Sequence, residues 1–260
     1  MGMTLTFSGA PLASEPSATT NYAIEGPRHR LLLHPFPRRV RARFAGELVL
    51  DTTRGALLHE SNILPRLYVP LGDVRADLLE RTDHASHCPF KGDASYWSVR
   101  VGDRVAENAV WTYEEPIAEA AWLRGLVSIY PERMDAWFDE DEEVSSLRDP
   151  YHRVDARHSS RPIEVRADGA VIARSERPVV VAETGGPLRF YLPREDVLAD
   201  LRPSATTAVC PYKGKASYWS LGAVEDAAWS YADPLESMLK ARDHVCFDAS
   251  KVEVVELARD

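Results

Sequence analysis

The run CPFKGDASYW at Cys88–Trp97 decides the architecture, because it returns almost letter for letter as CPYKGKASYW at Cys210–Trp219. The correspondence extends well outside these runs. Pro27, His29 and Arg30 return as Pro150, His152 and Arg153, and Gly46, Arg54 and Glu60 return as Gly169, Arg177 and Glu183. Arg66, Tyr68, Pro70, Asp73 and Val74 match Arg189, Tyr191, Pro193, Asp196 and Val197 without a gap. Downstream, Trp111, Tyr113 and Pro116 match Trp229, Tyr231 and Pro234, after the second copy loses a few residues around Val101–Arg104. That deletion reads as a loop. The chain is therefore a tandem duplication, and each half is a control on the other.

These motifs resemble the "domain of unknown function 427" family, which also carries a nucleotidyltransferase-like label. The resemblance rests on a Cys-Pro-aromatic-Lys-Gly-x-Ala-x-Tyr-Trp run followed by a Trp-x-Tyr-x-x-Pro run, found in both copies. A Tyr-x-Pro-x-x-Asp-Val run precedes it at Tyr68–Val74 and again at Tyr191–Val197. It covers nearly everything from Pro27 onward. It implies two copies of one domain and supplies no activity to carry over residue by residue.

Length agrees with two modest domains. The 260 residues suit an N-terminal arm over 1–25, expected to be flexible, a first repeat over 26–148 and a second over 149–260. Each repeat is large enough to bury a core without metal or disulfide staples. Hydrophobic content of 45% and charged content of 27% are ordinary for a globular protein. The arm, rich in Ser, Ala, Thr and Pro, has neither a basic start nor a long apolar stretch. No signal peptide or membrane span is expected, and the chain reads as cytoplasmic. Three cysteines argue against a disulfide framework. A net charge of −9 without a Lys/Arg run disfavours nucleic acid as a partner.

Each repeat reads as α+β, mainly antiparallel β, a small bent sheet or open barrel with two short helices. Val40–Phe44 and Leu48–Leu50 form a hairpin about Gly46. Tyr68 and Val69 end another strand, after which Pro70 opens a short helix with Val74, Leu78 and Leu79 on one face. Ser95–Val101 and Val105–Trp111 alternate as strands around Gly102-Asp103. Pro116 begins a second helix through Leu123, and two strands at Val127–Tyr130 and Met134–Phe138 close the unit. Asp139–Glu143 reads as an acidic connector.

The signature places a thiol and an amine on one shaped loop. Cys-Pro fixes an extended approach, and Gly92 or Gly214 allows a tight reversal. Lys91 or Lys213 can then activate Cys88 or Cys210 as a nucleophile, with His29 or His152, the histidines kept in register, as base. The rival reading makes the cysteine a small buried residue and the histidine a structural one. Aromatic residues concentrate at Tyr96, Trp97, Trp111 and Tyr113, and again at Tyr218, Trp219, Trp229 and Tyr231. With Arg54, Arg177, Lys91 and Lys213 they would suit a small anionic or planar ligand; otherwise they are core. Tyr96 and Trp97 must face opposite sides of their strand, and Trp111 and Tyr113 the same side. Convergence of signature Cys, signature Lys and Arg54 or Arg177 would make a site; pairing of Arg54 with Glu60 or Asp73 would instead staple strand to helix.

Neither a metal nor another cofactor is expected. His84, His87 and Cys88 lie together, but the second copy has Thr206 and Val209 at the two histidine positions. Asp139 and Asp141 have no counterpart in the second half, and no glycine-rich phosphate loop exists. The leading reading is a small-molecule pocket protein; the alternatives are a cysteine enzyme and a non-catalytic interaction module.

Overall fold

The computed structural model describes residues 5–6, 9–15, 21 and 25–258. They divide into two compact units, one ending at Asp149 and the other beginning at Pro150.

The first unit contains β1 (Leu31–Phe36), β2 (Val40–Phe44), β3 (Glu47–Thr52), β4 (Gly55–Glu60), β5 (Ile63–Pro70), β6 (Leu79–Cys88), β7 (Gly92–Val101), β8 (Arg104–Thr112), β9 (Leu126–Ile129), β10 (Ala136–Asp139) and β11 (Glu142–Val144). Seven strands make one antiparallel sheet in the order β1-β4-β5-β9-β8-β7-β6, and four make a smaller sheet, β11-β10-β2-β3. The second unit contains β12 (Val154–His158), β13 (Ile163–Ala167), β14 (Ala170–Ser175), β15 (Val179–Glu183), β16 (Arg189–Leu192), β17 (Leu201–Cys210), β18 (Gly214–Leu221), β19 (Val224–Ser230), β20 (Val245–Phe247) and β21 (Glu253–Glu256). Its large sheet runs β12-β15-β16-β20-β19-β18-β17, the same order strand for strand, beside a three-stranded sheet β14-β13-β21. Each unit is thus mainly antiparallel β, two copies of one fold.

The large sheet is covered on both faces, which sets where the site lies. On one face Leu57, Val69, Val99, Val110 and Val127 pack with Val40, Ala42 and Val49 of the small sheet. On the other, Leu58, Tyr68, Ala94, Tyr96, Trp111 and Tyr113 pack with Ala120 and Leu123 of the segment after β8. The second unit repeats both clusters, with Tyr191, Ala216, Tyr231, Met238 and Ala241 on the corresponding second face. Tyr96 and Trp97 therefore face different cores, while Trp111 and Tyr113 share one.

The helices are single 3₁₀ turns and short 3₁₀ segments: Leu71–Asp73, Ala76–Leu78, Ala118–Leu123, kinked at Ala120, and Pro131–Arg133 in the first unit, and Arg194–Asp196 and Glu236–Ala241 in the second. Leu79, expected on a helix face, instead begins β6. The acidic connector is not a linker either. Asp139 ends β10 and Glu142–Val144 pairs back onto it as β11.

Two hairpin turns explain the repeat spacing. Ala45 and Gly46, with φ of 50° and 83°, join β2 to β3, and Asp168 and Gly169, with φ of 49° and 79°, join β13 to β14. Two consecutive left-handed residues match the twist of the flanking strands. The deletion near Val101 is not a loop deletion. Val101 pairs with Arg104 across Gly102, and Leu221 pairs with Val224 across Gly222, so the turn survives. Its residues are lost from the strand ends: β18 and β19 have 8 and 7 residues where β7 and β8 have 10 and 9.

Part of the N-terminal arm is docked. Thr6 Oγ1 donates to the Ile63 carbonyl at 3.0 Å, Asn62 N donates to the Thr6 carbonyl at 3.0 Å, and Ser61 Oγ donates to the Leu12 carbonyl. The rest of the flexible-arm expectation, residues 1–4, 7–8, 16–20 and 22–24, falls outside the described residues.

Candidate functional site

The signature loop is clamped by the segment that follows β8. Lys91 N donates to the Cys88 carbonyl at 3.2 Å, closing the turn, and Ile117 N donates to the Lys91 carbonyl at 3.1 Å. Lys213 repeats both contacts, to Cys210 at 3.3 Å and from Leu235 at 3.1 Å. The glycine follows from this clamp. Gly92 and Gly214 have φ of +106° and +101°, and a Cβ there would meet a backbone carbonyl oxygen of the clamping segment at 3.3 and 3.1 Å. Only glycine meets both demands.

So held, the lysine amine turns inward onto a buried glutamate. Lys91 Nζ donates to Glu60 Oε2, and the other oxygen of Glu60 lies 2.8 Å from His29 Nε2. Glu60 and Lys91 are each less than a tenth exposed. In the second unit Lys213 Nζ donates to Glu183 Oε2 at 2.6 Å and His152 Nε2 lies 3.1 Å from Glu183 Oε1. The two units therefore build the same Lys–Glu–His chain. Burial pushes the Glu183 carboxyl pKa upward, but the hydrogen bond from His152 and the charge of Lys213 outweigh it and hold it at about 2.

Aromatic groups enclose this chain. The His29 ring stacks on Phe90 at 3.7 Å and 10°, and His152 lies 4.1 Å from the Tyr212 ring. Lys91 Nζ stands 5.9 Å from the Tyr113 ring centre. Below it Trp111 Nε1 donates to Tyr68 Oη at 3.3 Å, as Trp229 Nε1 does to Tyr191 Oη at 3.0 Å. Burial pushes the Tyr68, Tyr113, Tyr191 and Tyr231 hydroxyls well above the ordinary tyrosine pKa, so they are neutral hydrogen-bonding groups. Cys88 packs against the same cluster and is close enough to Tyr68 and Tyr113 to influence both electrostatically. Cys210 stands in the same relation to Tyr231.

The structure thus brings together His29, Cys88, Lys91, Trp111 and Tyr113, and in the second unit His152, Cys210, Lys213, Trp229 and Tyr231. Tyr96 and Tyr218 lie on this face too, but the Tyr96 hydroxyl bonds Ser86 Oγ at 2.7 Å, and Tyr218 packs 6.2 Å from Trp229. Trp97 and Trp219 point to the opposite core, beneath the guanidinium groups of Arg81 and Arg194. Arg54 does not converge on the lysine. It precedes β4, whereas Glu60 ends it, and six strand residues span roughly 17–20 Å. Arg54 instead donates to Asp73, which also accepts from Thr52 Oγ1 at 2.6 Å. Arg177 pairs with Glu195 at 2.8 Å and Asp196 at 3.5 Å. Both arginines are exposed staples between a strand and a 3₁₀ turn.

No thiol–imidazole pair is formed. Among the described residues neither Cys88 nor Cys210 makes a side-chain hydrogen bond, and all three cysteines are free. His84 packs on Tyr96 at 4.4 Å and His87 pairs with Asp93 at 2.6 Å, while Asp139 and Asp141 pair with Arg38 and Arg41. No helix among the described residues is long and apolar enough to cross a membrane.

A family model described as "Domain of unknown function (DUF427)" matches residues 32–140 and again residues 155–257. The chain belongs to this family, in two tandem copies. No curated protein matches the chain. Both DUF427 copies contain the glutamate and tyrosine of the cluster, Glu60 with Tyr68 and Glu183 with Tyr191, which are retained in register but carry no local mark of the site. Their retention in register was the available signal. What it lacked was a partner: Glu60 sits 31 positions from both His29 and Lys91, and only the strand pairing brings the three together.

Proposed function

We propose that each repeat is a small-molecule binding module, with the His–Glu–Lys chain and its aromatic enclosure as the working site and an anionic or planar compound as ligand. The observation that supports it is the recurrence of the same three ionisable groups in the same contacts in both copies, with Glu60, Lys91 and His152 buried and His29, Glu183 and Lys213 partly so. A buried ion pair costs several kcal/mol in lost hydration, and well-packed apolar residues of like volume often serve stability as well or better. Its retention in both copies therefore argues for a role other than stability. The lysine amine has three donors and spends one of them on the glutamate, which leaves others for an anion. The Phe90 ring, 40% exposed and already stacked on His29, offers a flat surface beside it.

Cysteine catalysis is the weaker reading. A thiol needs a base within hydrogen-bond reach, and His29 Nε2 is engaged by Glu60. The test is a titration of the full chain with AMP, nicotinate and inorganic phosphate, followed through the Trp111 and Trp229 indole resonances. Saturable shifts that Lys91→Met and Lys213→Met abolish are expected. If no probe moves either indole, and His29→Phe with Glu60→Met and Lys91→Met raises stability, the cluster is a structural clamp and the proposal fails.

A further inference from the structure

Arginine is kept in register at Arg66 and Arg189, and these two stand apart from the other arginines that both copies keep. Each of the others is engaged by a carboxylate or a backbone carbonyl in both units. Arg38 and its counterpart Arg161 pair with Asp139 at 2.8 Å and Glu256 at 3.2 Å, and Arg124 and Arg242 pair with Glu115 at 2.7 Å and Asp233 at 3.8 Å. Among the described residues neither Arg66 nor Arg189 makes a hydrogen bond or an ion pair. The Arg189 guanidinium carbon stands 5.7 Å from the Trp229 ring centre, but Arg66 has no such ring contact among the described residues, so ring packing does not account for keeping the residue in both copies. A cation kept twice and paired in neither copy points to a partner outside the chain.

Strand register sets both arginines on the face that bears the His–Glu–Lys chain. Val181 of β15 lies opposite Arg189 of β16 and Val179 opposite Tyr191, so Arg189 shares a face with Tyr191. Glu183, two residues beyond Val181, is on that face too and is the diagonal neighbour of Arg189, at roughly 7–8 Å. In the first unit Leu58 lies opposite Arg66, and Glu60 is two residues beyond Leu58. The electrostatics agree. Burial raises the Tyr68 hydroxyl pKa, Glu60 adds to the shift and Arg66 opposes it; burial raises the Cys246 thiol pKa to about 12 against both Arg189 and Lys213. Asp248 is near enough to feel Arg189, but both the backbone N and the Oγ of Ser250 donate to its Oδ1, at 3.0 and 2.7 Å, and no ion pair joins it to the arginine.

We infer that Arg66 and Arg189 anchor the ligand of their own repeat through an oxyanion, a carboxylate or a phosphate, and so make the site specific for an anionic compound over a neutral planar one. The inference rests on the ligand-binding reading above and adds to it the residue that selects the charge. Arg66 is exposed and Arg189 half-buried, so the fork of each guanidinium is open to an incoming group. Its planar donors match a carboxylate or phosphate two-pronged, which a lysine amine cannot do. The signature lysine, already committed to its glutamate, is then the second contact and the arginine the first.

Nicotinate and AMP, each beside its uncharged counterpart nicotinamide or adenosine, are titrated into the full chain with the Trp111 and Trp229 indole resonances as reporters, one for each repeat. Arg66→Met is expected to weaken nicotinate or AMP about tenfold or more at Trp111 and to leave Trp229 unchanged, and Arg189→Met to do the reverse. The uncharged counterparts should bind more weakly and respond to neither variant. The anion that saturates at the lower concentration tells carboxylate from phosphate. Anion binding that Lys91→Met and Lys213→Met abolish but the arginine variants leave unchanged overturns the arginine anchor while the ligand-binding reading stands. Absence of a saturable shift with any of the four probes overturns both. Equal weakening of nicotinate and nicotinamide also overturns the anchor, since it would show that the arginine packs rather than pairs. If a methionine variant does not fold, Arg66→Lys and Arg189→Lys decide: they keep the charge and lose the fork, and an affinity for the anions equal to that of the unaltered chain overturns the two-pronged anchor.

Discussion

Glu183 accepts from the part-buried Lys213 amine at 2.6 Å and from the buried His152 ring at 3.1 Å, and its depressed pKa makes it a source of pH-dependent stability. A carboxyl held at about 2, against an ordinary 4.5, favours the folded state fully above the higher value. That contribution, up to roughly 3 kcal/mol, fades as the pH falls from about 4.5 toward 2. Glu183→Gln removes the titrating group, so urea unfolding of the second repeat should lose its acid-side slope over that window; an unchanged slope would show that other carboxyls dominate. At neutral pH the variant should be less stable by about 1–3 kcal/mol, because it leaves the part-buried Lys213 without its counter-charge. Thiol chemistry offers a second check at this scale. Burial pushes the Cys246 thiol pKa up to about 12, so it stays protonated and unreactive at neutral pH. Iodoacetamide followed by peptide mass mapping should modify the half-buried Cys88 and Cys210 well before Cys246.

At the scale of elements, the signature acts as a loop clamped by its own 3₁₀ segment, and the glycine makes the clamp fit. Gly92→Ala must accept a left-handed backbone and push a Cβ to 3.3 Å from the Glu115 carbonyl oxygen; Gly214→Ala meets the Asp233 carbonyl oxygen at 3.1 Å. Each should cost on the order of 2–4 kcal/mol. The loss should fall on the bonds from Ile117 or Leu235 to the lysine carbonyl, which hydrogen exchange at those two amides will report. Protection of Ile117 unchanged in Gly92→Ala would mean that the clamp does not depend on the turn. The strands themselves differ in how far local sequence reveals them. β2, with buried residues at every second position, is plain from alternation. β4 is buried on both faces and has no alternation to read. β6 and β17 are the reverse, exposed along most of their length, and exist because they pair with β7 and β18. β11 likewise owes its extended form to β10.

For the whole molecule, the duplication made the architecture legible, since one ten-residue run fixed the register of two seven-stranded sheets. The candidate site was only half legible. His29, Cys88 and Lys91 are marked by their retention, but Glu60, which joins two of them, is placed by strand pairing that no local pattern encodes, and Arg54 is equally retained although it serves Asp73 at the other end of the strand. Retention in two copies marks that a residue matters to the fold or the function without saying to which. The same logic bears on independence. The second unit has both of its cores within residues 154–254, one on each face of its large sheet, and its closing strand β21 pairs with β13 of the same unit. Domains of this size bury enough surface to fold alone. A chain of residues 150–260 should therefore unfold in one cooperative thermal step and retain near-ultraviolet circular dichroism from Trp219 and Trp229, the latter locked to Tyr191. A broad transition with no near-ultraviolet signal would show that the second repeat requires the first, and that the two copies, although alike strand for strand, are not separate folding units.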